Sequence, residues 1–324
     1  MRAIVQDVYG EPEVLRIEEV ERPVPGEGQV LVEVKAASIH PGDWMASRGA
    51  PYLAIRPAFG FRRPRRSTPG FDVAGVVEEV GQGVDGLAVG DEVFGTAVSG
   101  SCAEFAVCDA EKVIRKPVRL TFEQAAGLTI SGCAALHGLR DSAKVEPGRT
   151  VLINGASGGV GTHAIQIAKS LGASVTAVCS ARNEGLVRSL GADDVIVYTD
   201  EDFTDGGRTW DVVFDNVGNH PMNRMRAAVA DGGTYVPNNG TRGGKWFGTI
   251  GRILRAVIGS VFIPKQGRPF VSSEKQDDLE DLVALVEADE LTPAVGATYP
   301  LEETAAAMRE VAGGHVSGKI VIVP

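Results

Sequence analysis

Thr150-Val-Leu-Ile-Asn-Gly-Ala-Ser-Gly-Gly-Val-Gly-Thr-His-Ala-Ile-Gln-Ile-Ala-Lys169 decides the fold. Val151, Leu152 and Ile153 form a short continuous apolar run, as expected of a parallel strand covered on both faces. Past the glycines the spacing changes. Val160, Ala164, Ile167, Ala168 and Leu171 fall on one face of a 3.6-residue period, so a helix follows the turn. Ala156, Gly158 and Gly161 hold the three small positions of a G-x-G-x-x-G-type dinucleotide turn, with Ser157, Gly159 and Val160 between them. Small residues let the backbone bend sharply, approach a pyrophosphate, and pack helix against strand. The helix opens with unpaired N–H groups, and its dipole favours negative charge there. A Gly-rich turn between strand and helix also occurs in α/β proteins that hold no nucleotide, so the flanking residues decide the chemistry.

About twenty residues beyond such a turn, the next strand ends beside the adenine ribose. Here that segment is Ser174-Val-Thr-Ala-Val-Cys-Ser-Ala-Arg182. A site selective for NADH places Asp or Glu at this strand end to bind the ribose 2′-hydroxyl. This chain has Cys179 and Ser180, with Arg182 just beyond, so nothing repels a 2′-phosphate and an arginine is present to meet one. The expected cofactor is therefore NADPH.

A chain of 324 residues is long for one small core, and two domains are expected. Its hydrophobic content of 44% and mean hydropathy of +0.02 are those of an ordinary globular protein. Asp7 and Glu11 interrupt the N-terminal segment before a secretory apolar core can form. The least charged runs, 125–139 and 253–264, are too short or interrupted to span a bilayer. A cytoplasmic protein without a membrane span is expected. The net charge of −10 disfavours nucleic acid. Phe61-Arg-Arg-Pro-Arg-Arg66 is a local exception that reads as a solvated loop, with an anionic ligand as the alternative. Cys102, Cys108, Cys133 and Cys179 form no C-x-x-C pair and are expected as free thiols.

Along the chain, the first third carries short β runs at Arg2 to Val8, Leu15 to Val20, Val30 to Ala37, Phe71 to Val80 and Gly90 to Gly95, separated by Pro and Gly clusters. This predicts an antiparallel β-barrel domain over 1–121. From Thr121 a capped helix begins, and the central unit is followed by apolar strands at Gly191 to Tyr198, Asp211 to Asp215 and Gly232 to Val236, with a sixth near Arg268 to Val271. Strands alternating with helices predict a doubly wound parallel sheet over 122–272. Helices at Glu274 to Val286 and Glu302 to Val311 and a last strand at Lys319 to Val323 are expected to return to the first domain, making it 1–121 and 273–324 with a cleft between the two domains.

This order resembles the medium-chain dehydrogenase/reductase superfamily, and the motifs are most similar to its zinc-lacking quinone oxidoreductase branch, including the reticulon-interacting-protein-like oxidoreductases. The resemblance is carried by Asn154 to Gly161 with Ala164 to Lys169, by Pro69-Gly-Phe-Asp-Val-Ala-Gly-Val-Val77, by Phe214-Asp-Asn-Val-Gly218 and by Gly314-His-Val-Ser-Gly-Lys-Ile-Val321. It implies a GroES-like β-barrel domain joined to a Rossmann domain, a homodimer, and NADPH-dependent reduction of a quinone or an α,β-unsaturated carbonyl. It further implies that Ser180, Arg182 and Tyr198 meet the 2′-phosphate, that Asn216 and Val217 lie beside the cofactor ribose, and that Asn238 and Asn239 come near the nicotinamide end.

A catalytic zinc needs three protein ligands, commonly Cys and His. In zinc-dependent relatives they would fall near Pro41, Phe71 and Gly127, none of which is a ligand, and the five histidines show no close pair. No metal is expected. The cofactor then supplies the hydride, and the protein orients the acceptor and stabilises charge on its oxygen. His40, where the family often carries Asn, and Tyr52 are the candidate catalytic donors, while a polar pocket filler and a pocket wall are their structural readings. Asp43 is expected to shape its loop, and the apolar segment 245–258 to cover the cleft or form a dimer contact, with a membrane-surface helix as the weaker alternative. An alcohol or aldehyde dehydrogenase is the second enzyme reading, weakened by the absence of zinc ligands and of any Tyr-x-x-x-Lys pair. A non-catalytic NADPH-binding protein is the third.

Overall fold

The computed structural model describes residues 1–238, 266–267 and 272–324. They divide into two compact units, Met1–Cys133 with Ser273–Pro324, and Ala134–Ser272. No helix among the described residues is long and apolar enough to cross a membrane.

With strands numbered along the chain, the first unit holds β1 (Arg2–Val5), β2 (Arg16–Glu19), β3 (Gln29–Ile39), β4 (Asp72–Val80), β5 (Glu92–Thr96), β6 (Phe105–Asp109), β7 (Val113–Arg115), β14 (Val295–Pro300) and β15 (Lys319–Val323). β1 and β2 pair as an antiparallel ribbon. The main sheet runs β14-β15-β3-β4-β5-β7, with β6 also on β3. β3 organises it. β4 follows one edge of β3 from Val30 to Ser38, while the other edge is shared between β6, against Gln29 to Glu33, and β15, against Ala37 to Ile39. Register shifts at Leu31/Val32 and Val34/Ala36 bend the strand so that it serves both neighbours. Val30, Val32, Val34, Val73, Val93 and Ile320 pack beneath it in the core.

α1 (Pro41–Arg48) and α2 (Tyr52–Phe59) follow β3, and α3 (Phe122–Ala126) packs on β3 and β4. That packing carries the first unit through Cys133, twelve residues past the expected limit of 121. Thr121 caps α3 as expected, with Gln124 as its reciprocal partner. α4 (Thr129–Leu136) runs into a π-helical turn at His137–Ala143. β15 occupies the expected residues and returns to β3. β14 was not expected: Val-Gly-Ala-Thr-Tyr-Pro has no buried position, and its half-buried alternation contains Gly and Pro.

The second unit holds β8 (Thr150–Asn154), α5 (Gly159–Ser170), β9 (Ser174–Cys179), α6 (Glu184–Ser189), β10 (Asp194–Val197), β11 (Trp210–Asp215), α7 (Met222–Ala227), β12 (Val229–Pro237) and β13 (Gln266–Gly267). The sheet order is β10-β9-β8-β11-β12-β13, and every pair is parallel. Leu152, Val178, Ile196, Trp210, Val213 and Tyr235 fill one core face. The chain leaves β8 toward β9 and β10, then comes back to the other side of β8 with β11 and β12. The switch point therefore lies between the carboxyl ends of β8 and β11, where open α/β sheets bind their ligands. The sixth strand is Gln266–Gly267, just before its expected place. Residues 268–271, Asn239 and the segment 245–258 lie outside the described residues. α8 (Gln276–Glu287) and α9 (Thr304–Gly313) belong to the first unit.

Candidate active site

The turn after β8 has its left-handed residue at Gly155, with φ of 76°, so the sharp bend falls one position before Ala156. A Cβ at Gly155 would stand 2.7 Å from Val217 Cγ2 in the facing turn after β11. Ala156 N–H donates to Val178 O at 3.0 Å, which ties the bend to β9. Gly158 is the N-cap of α5, and no side chain caps this helix. The N–H groups of Gly159, Val160 and Gly161 precede the first intrahelical bond and are available to an anion. A Cβ at Gly161 would lie 2.2 Å from Gly155 O, whereas one at Gly158 would meet nothing closer than 3.6 Å.

Beneath this turn sits Asp215, the last residue of β11 and 2% exposed. Its Oδ1 accepts from Asn154 Nδ2 at 2.8 Å, Val217 N at 3.2 Å and Gly218 N at 2.9 Å. Its Oδ2 accepts from Tyr235 OH at 2.8 Å. One buried carboxylate thus fixes the ends of β8, β11 and β12 against each other. Asn238 donates its side-chain amide to Asn216 Oδ1 at 2.7 Å, and its backbone N–H to Asp215 O at 2.9 Å. Asn216 Nδ2 is buried and has no acceptor among the described residues, leaving a donor beside the turn. Asn154, Gly155 and Asp215 were missed as site residues. The available signal was a polar residue closing an apolar strand in both Leu-Ile-Asn and Val-Phe-Asp.

At the end of β9, Ser180 leads into a short 3-10 turn, Ala181–Asn183, that carries Arg182 exposed. Asn183 is buried, and its Nδ2 donates to Ser157 Oγ at 2.9 Å and Ser180 Oγ at 3.3 Å. A lone pair on each hydroxyl is then engaged, and a hydroxyl that accepts one bond can still rotate its proton to donate to an anion. Tyr198, 50% exposed, donates its N–H to Cys179 O at 3.1 Å and so stands at the same strand end. The uncapped helix start, the glycine cradle and the unspent amide of Asn216 together fit a dinucleotide. A charge-assisted bond from Arg182 is worth about 1.5–3 kcal/mol. Arg182→Ala is expected to weaken NADPH binding by roughly 10- to 150-fold and leave NADH almost unchanged, as fluorescence titration with both would show.

In the first unit His40 is the N-cap of α1. Its Nδ1 accepts from Gly42 N at 2.9 Å, so in the neutral ring the proton sits on Nε2. Asp43 Oδ2 accepts from His40 N at 2.8 Å, closing the capping box. The imidazole stacks on Phe71, with ring centroids 5.8 Å apart. Nε2 comes within 3.4 Å of Asp43 Oδ2 without hydrogen-bond alignment, and it has no acceptor among the described residues. Nearby, Lys319 Nζ lies 3.3 Å from Asp72 Oδ2 and donates to Ser131 Oγ at 2.9 Å, with both charged side chains buried. Asp72 Oδ1 accepts from Ile130 N at 3.2 Å. Tyr52 opens α2 under the Arg56 guanidinium, 4.3 Å from its ring centroid. Of the arginine run, Arg62, Arg63 and Arg65 are exposed, while Arg66 folds in over Phe71 at 4.9 Å. The four cysteines are buried free thiols.

Burial pushes His40 down to about 3, assisted by Lys319. Burial pushes Asp43 up to about 8, with Asp72 adding to the shift and the His40 N–H, Lys319 and Arg66 opposing it. Asp72 rises to about 6 through burial, against Lys319. A carboxyl raised on folding contributes most below its free value, and that contribution disappears as the pH passes its folded value. A histidine lowered on folding contributes fully above its free value of 6.5 and loses this as the pH falls. Between pH 6.5 and 8, of these three only Asp43 still holds a proton that the unfolded chain has released. Stability is expected to decline across that window, and Asp43→Asn to remove the slope. Urea midpoints measured at its two ends check this.

Comparison with known proteins agrees with this geometry. Residues 26–135 match the model of the alcohol dehydrogenase GroES-like domain, and residues 190–322 match that of zinc-binding dehydrogenase. The chain is 30% identical to a chloroplast envelope quinone oxidoreductase homolog of Arabidopsis thaliana, over 93% of this chain and 92% of that one. It is 33% identical to the NADPH-dependent alkenal/one oxidoreductase of Arabidopsis thaliana chloroplasts, over 100% of this chain and 80% of that one. The solved quinone oxidoreductase of Coxiella burnetii superposes with a TM-score of 0.85 at 29% identity, covering 100% of this chain and 99% of that one. The chain belongs to the medium-chain dehydrogenase/reductase superfamily. Within that superfamily it falls in the quinone oxidoreductase-like branch and is an oxidoreductase with a nicotinamide cofactor.

Many medium-chain dehydrogenases hold zinc, so the donor set matters. At the positions where the superfamily's zinc ligands fall, this chain has Pro41 at the start of α1, Phe71 stacked on His40, and Gly127. A Cβ at Gly127 would meet Lys319 Cγ at 3.2 Å. A buried ammonium already neutralises Asp72, and burial pushes the Cys102 thiol upward, away from the thiolate zinc requires. These residues do not fit a catalytic zinc.

Proposed function

We propose that this chain reduces a quinone or an α,β-unsaturated carbonyl with NADPH and without zinc. The observation that carries this reading is the first unit's polar cluster, which offers a neutral hydrogen-bond donor at His40 Nε2 and a buried lysine paired with Asp72. A simple aldehyde needs a strong electrophile to polarise it, whereas a quinone or enone spreads the incoming charge through its own conjugation. Bound NADPH would supply the hydride. Ala156 to Gly161 would cradle the pyrophosphate, and Ser180, Arg182 and Tyr198 the 2′-phosphate. Asn216 and Val217 would border the ribose, and Asn238 and Asn239 the nicotinamide end. His40 and Tyr52 would meet the acceptor oxygen. The first unit would serve as the substrate domain, and the protein would work as a cytoplasmic homodimer.

The test follows NADPH absorbance with a panel of quinones, enones and aldehydes, with and without chelator. Quinone or enone turnover insensitive to chelator supports the proposal. Aldehyde turnover lost with chelator would make it an alcohol dehydrogenase, and tight NADPH binding without turnover a non-catalytic nucleotide binder.

A further inference from the structure

Between Asp43 and Asp72 the chain carries six arginines and no acid, although acids outnumber Lys and Arg by 42 to 32 in the whole sequence. Both bracketing carboxylates are buried, so neither offsets this charge at the surface. Three of the six are spoken for: Arg48 Nε pairs with Glu11 Oε1 at 3.0 Å, Arg56 lies over the rings of Tyr9 and Tyr52, and Arg66 folds in over Phe71. Arg62, Arg63 and Arg65 are exposed, and none of them forms an ion pair among the described residues. Exposed arginines elsewhere in the first unit behave differently. Arg2, Arg16, Arg119 and Arg309 are each bonded to a carboxylate.

The loop that presents the three cations is tied down. Arg65 N–H donates to Phe59 O at 2.7 Å, and Arg56 Nη1 donates to Phe61 O at 3.0 Å, which closes residues 60–64 over the end of α2. Gly60 makes the bend with φ of 120°, where a Cβ would lie 2.2 Å from Arg63 O. α2 turns Phe59 inward, edge-on to Phe71 with ring centroids 5.8 Å apart, and leaves Leu53, Pro57 and Ala58 exposed. Leu53 is 53% exposed, and Phe61, two residues past the end of the helix, is 67% exposed.

Single exposed apolar residues are ordinary, and so are solvated arginines. Here an apolar helix face and three unpaired guanidinium groups share one short, fixed stretch, the composition of a segment that lies in a lipid interface. We propose that α2 and the loop after it form a peripheral docking surface for an anionic bilayer. Leu53 and Phe61 would enter the boundary of the acyl chains, and Arg62, Arg63 and Arg65 would meet lipid phosphates. A nucleic acid would take up the arginines and leave Leu53 and Pro57 in water, whereas a bilayer takes up both. The net charge of −10 does not cancel the attraction, because at physiological salt charges more than about 8 Å away are largely screened. The surface stands apart from the reductase reading. If both hold, docking brings Tyr52, which opens the same helix, to the phase in which a long-tailed quinone dissolves.

The full-length chain is floated with vesicles of phosphatidylcholine alone, or of phosphatidylcholine with phosphatidylglycerol as about one lipid in three. Binding is expected only to the anionic vesicles and should fall as salt is raised. Arg62→Gln, Arg63→Gln and Arg65→Gln together should weaken it about 10²-fold, since each arginine near such a surface contributes roughly fivefold. Arg62→Lys, Arg63→Lys and Arg65→Lys together should keep most of it. Leu53→Ser with Phe61→Ser should weaken binding about tenfold at low salt, where the arginines still act. Thermal midpoints should be unchanged in all three variants, because every substituted side chain is exposed. Absence of binding by the natural chain, equal binding to neutral vesicles, or indifference to the glutamine substitutions overturns the proposal. Binding that needs the arginines but ignores the serine substitutions, or a tighter hold on a double-stranded oligonucleotide, would assign the patch to a polyanion and also overturn it. Should a variant unfold, the lipid and salt dependence of the natural chain decide. None of these readouts uses turnover, so a failure of the reductase reading leaves them intact.

Discussion

Lys319→Met is expected to destabilise the protein by about 3–5 kcal/mol near pH 8, the effect of leaving one buried charge without its partner. Asp72 and Lys319 are both buried, with 3.3 Å between Oδ2 and Nζ, and little water reaches either group to replace a lost counter-charge. The loss should shrink as the pH is lowered, because Asp72 already titrates near 6 and escapes its isolation by taking a proton. Lys319→Met combined with Asp72→Asn should recover most of the lost stability. The amide keeps an acceptor for the Ile130 N–H, which now bonds to Asp72 Oδ1 at 3.2 Å, and carries no charge. Urea denaturation of the two single variants and the pair, at two pH values, yields the coupling directly. Equal losses at both pH values would show that the lysine matters through its packing and not through its charge.

The second large effect separates two glycines of the same turn. Gly161→Ala should both destabilise the second unit, by about 1–3 kcal/mol, and abolish nucleotide binding, because its Cβ would lie 2.2 Å from Gly155 O and 2.7 Å from two Ala156 backbone atoms. Backbone cannot rotate aside as a side chain can, so the helix start must move away from β8. Gly158→Ala should fold normally, since its φ of −78° suits any residue and the nearest atom to a Cβ would be 3.6 Å off. Its loss should appear only in NADPH affinity, where the methyl occupies the face a pyrophosphate approaches. Thermal midpoints and fluorescence titrations of both variants distinguish the roles. Unimpaired NADPH binding by Gly158→Ala would remove the pyrophosphate from this turn.

Much of this was legible in the chain because the parallel sheet writes itself in continuous apolar runs. Leu152, Ile153, Val212 and Val213 are all buried, and their spacing located β8 and β11 without structural help. The reach of β15 back to β3 was likewise foreseeable from an apolar run at the chain's end. The first unit was harder. β14 shows no fully buried residue, and β7 is three residues long, so neither leaves a periodic signal. At the nucleotide turn the motif gave the small positions but misplaced the bend, since Gly155 precedes the first position assigned. Asn183 and Asp215 escaped because their work is to hold other polar groups, and an isolated Asn or Asp in sequence shows nothing of its partners. The state of His40 was open to the same blindness. Its free value near 6.5 suggests a titrating acid, while burial and Lys319 hold it neutral.

The interrupted layout of the first unit has a consequence for how the protein is made. Its opening 133 residues leave the ribosome well before Ser273–Pro324, with the whole of the nucleotide-binding unit emerging in the interval. Until Lys319–Val323 emerges, the edge of β3 at Ala37 to Ile39 lacks this partner and Asp72 lacks this counter-ion. The middle of the chain is therefore free to fold first, and the two parts of the first unit close around β3 only once β15 has emerged. A nascent chain stalled short of Lys319 would expose a ready strand edge, the surface that recruits chaperones or misassembles with its neighbours.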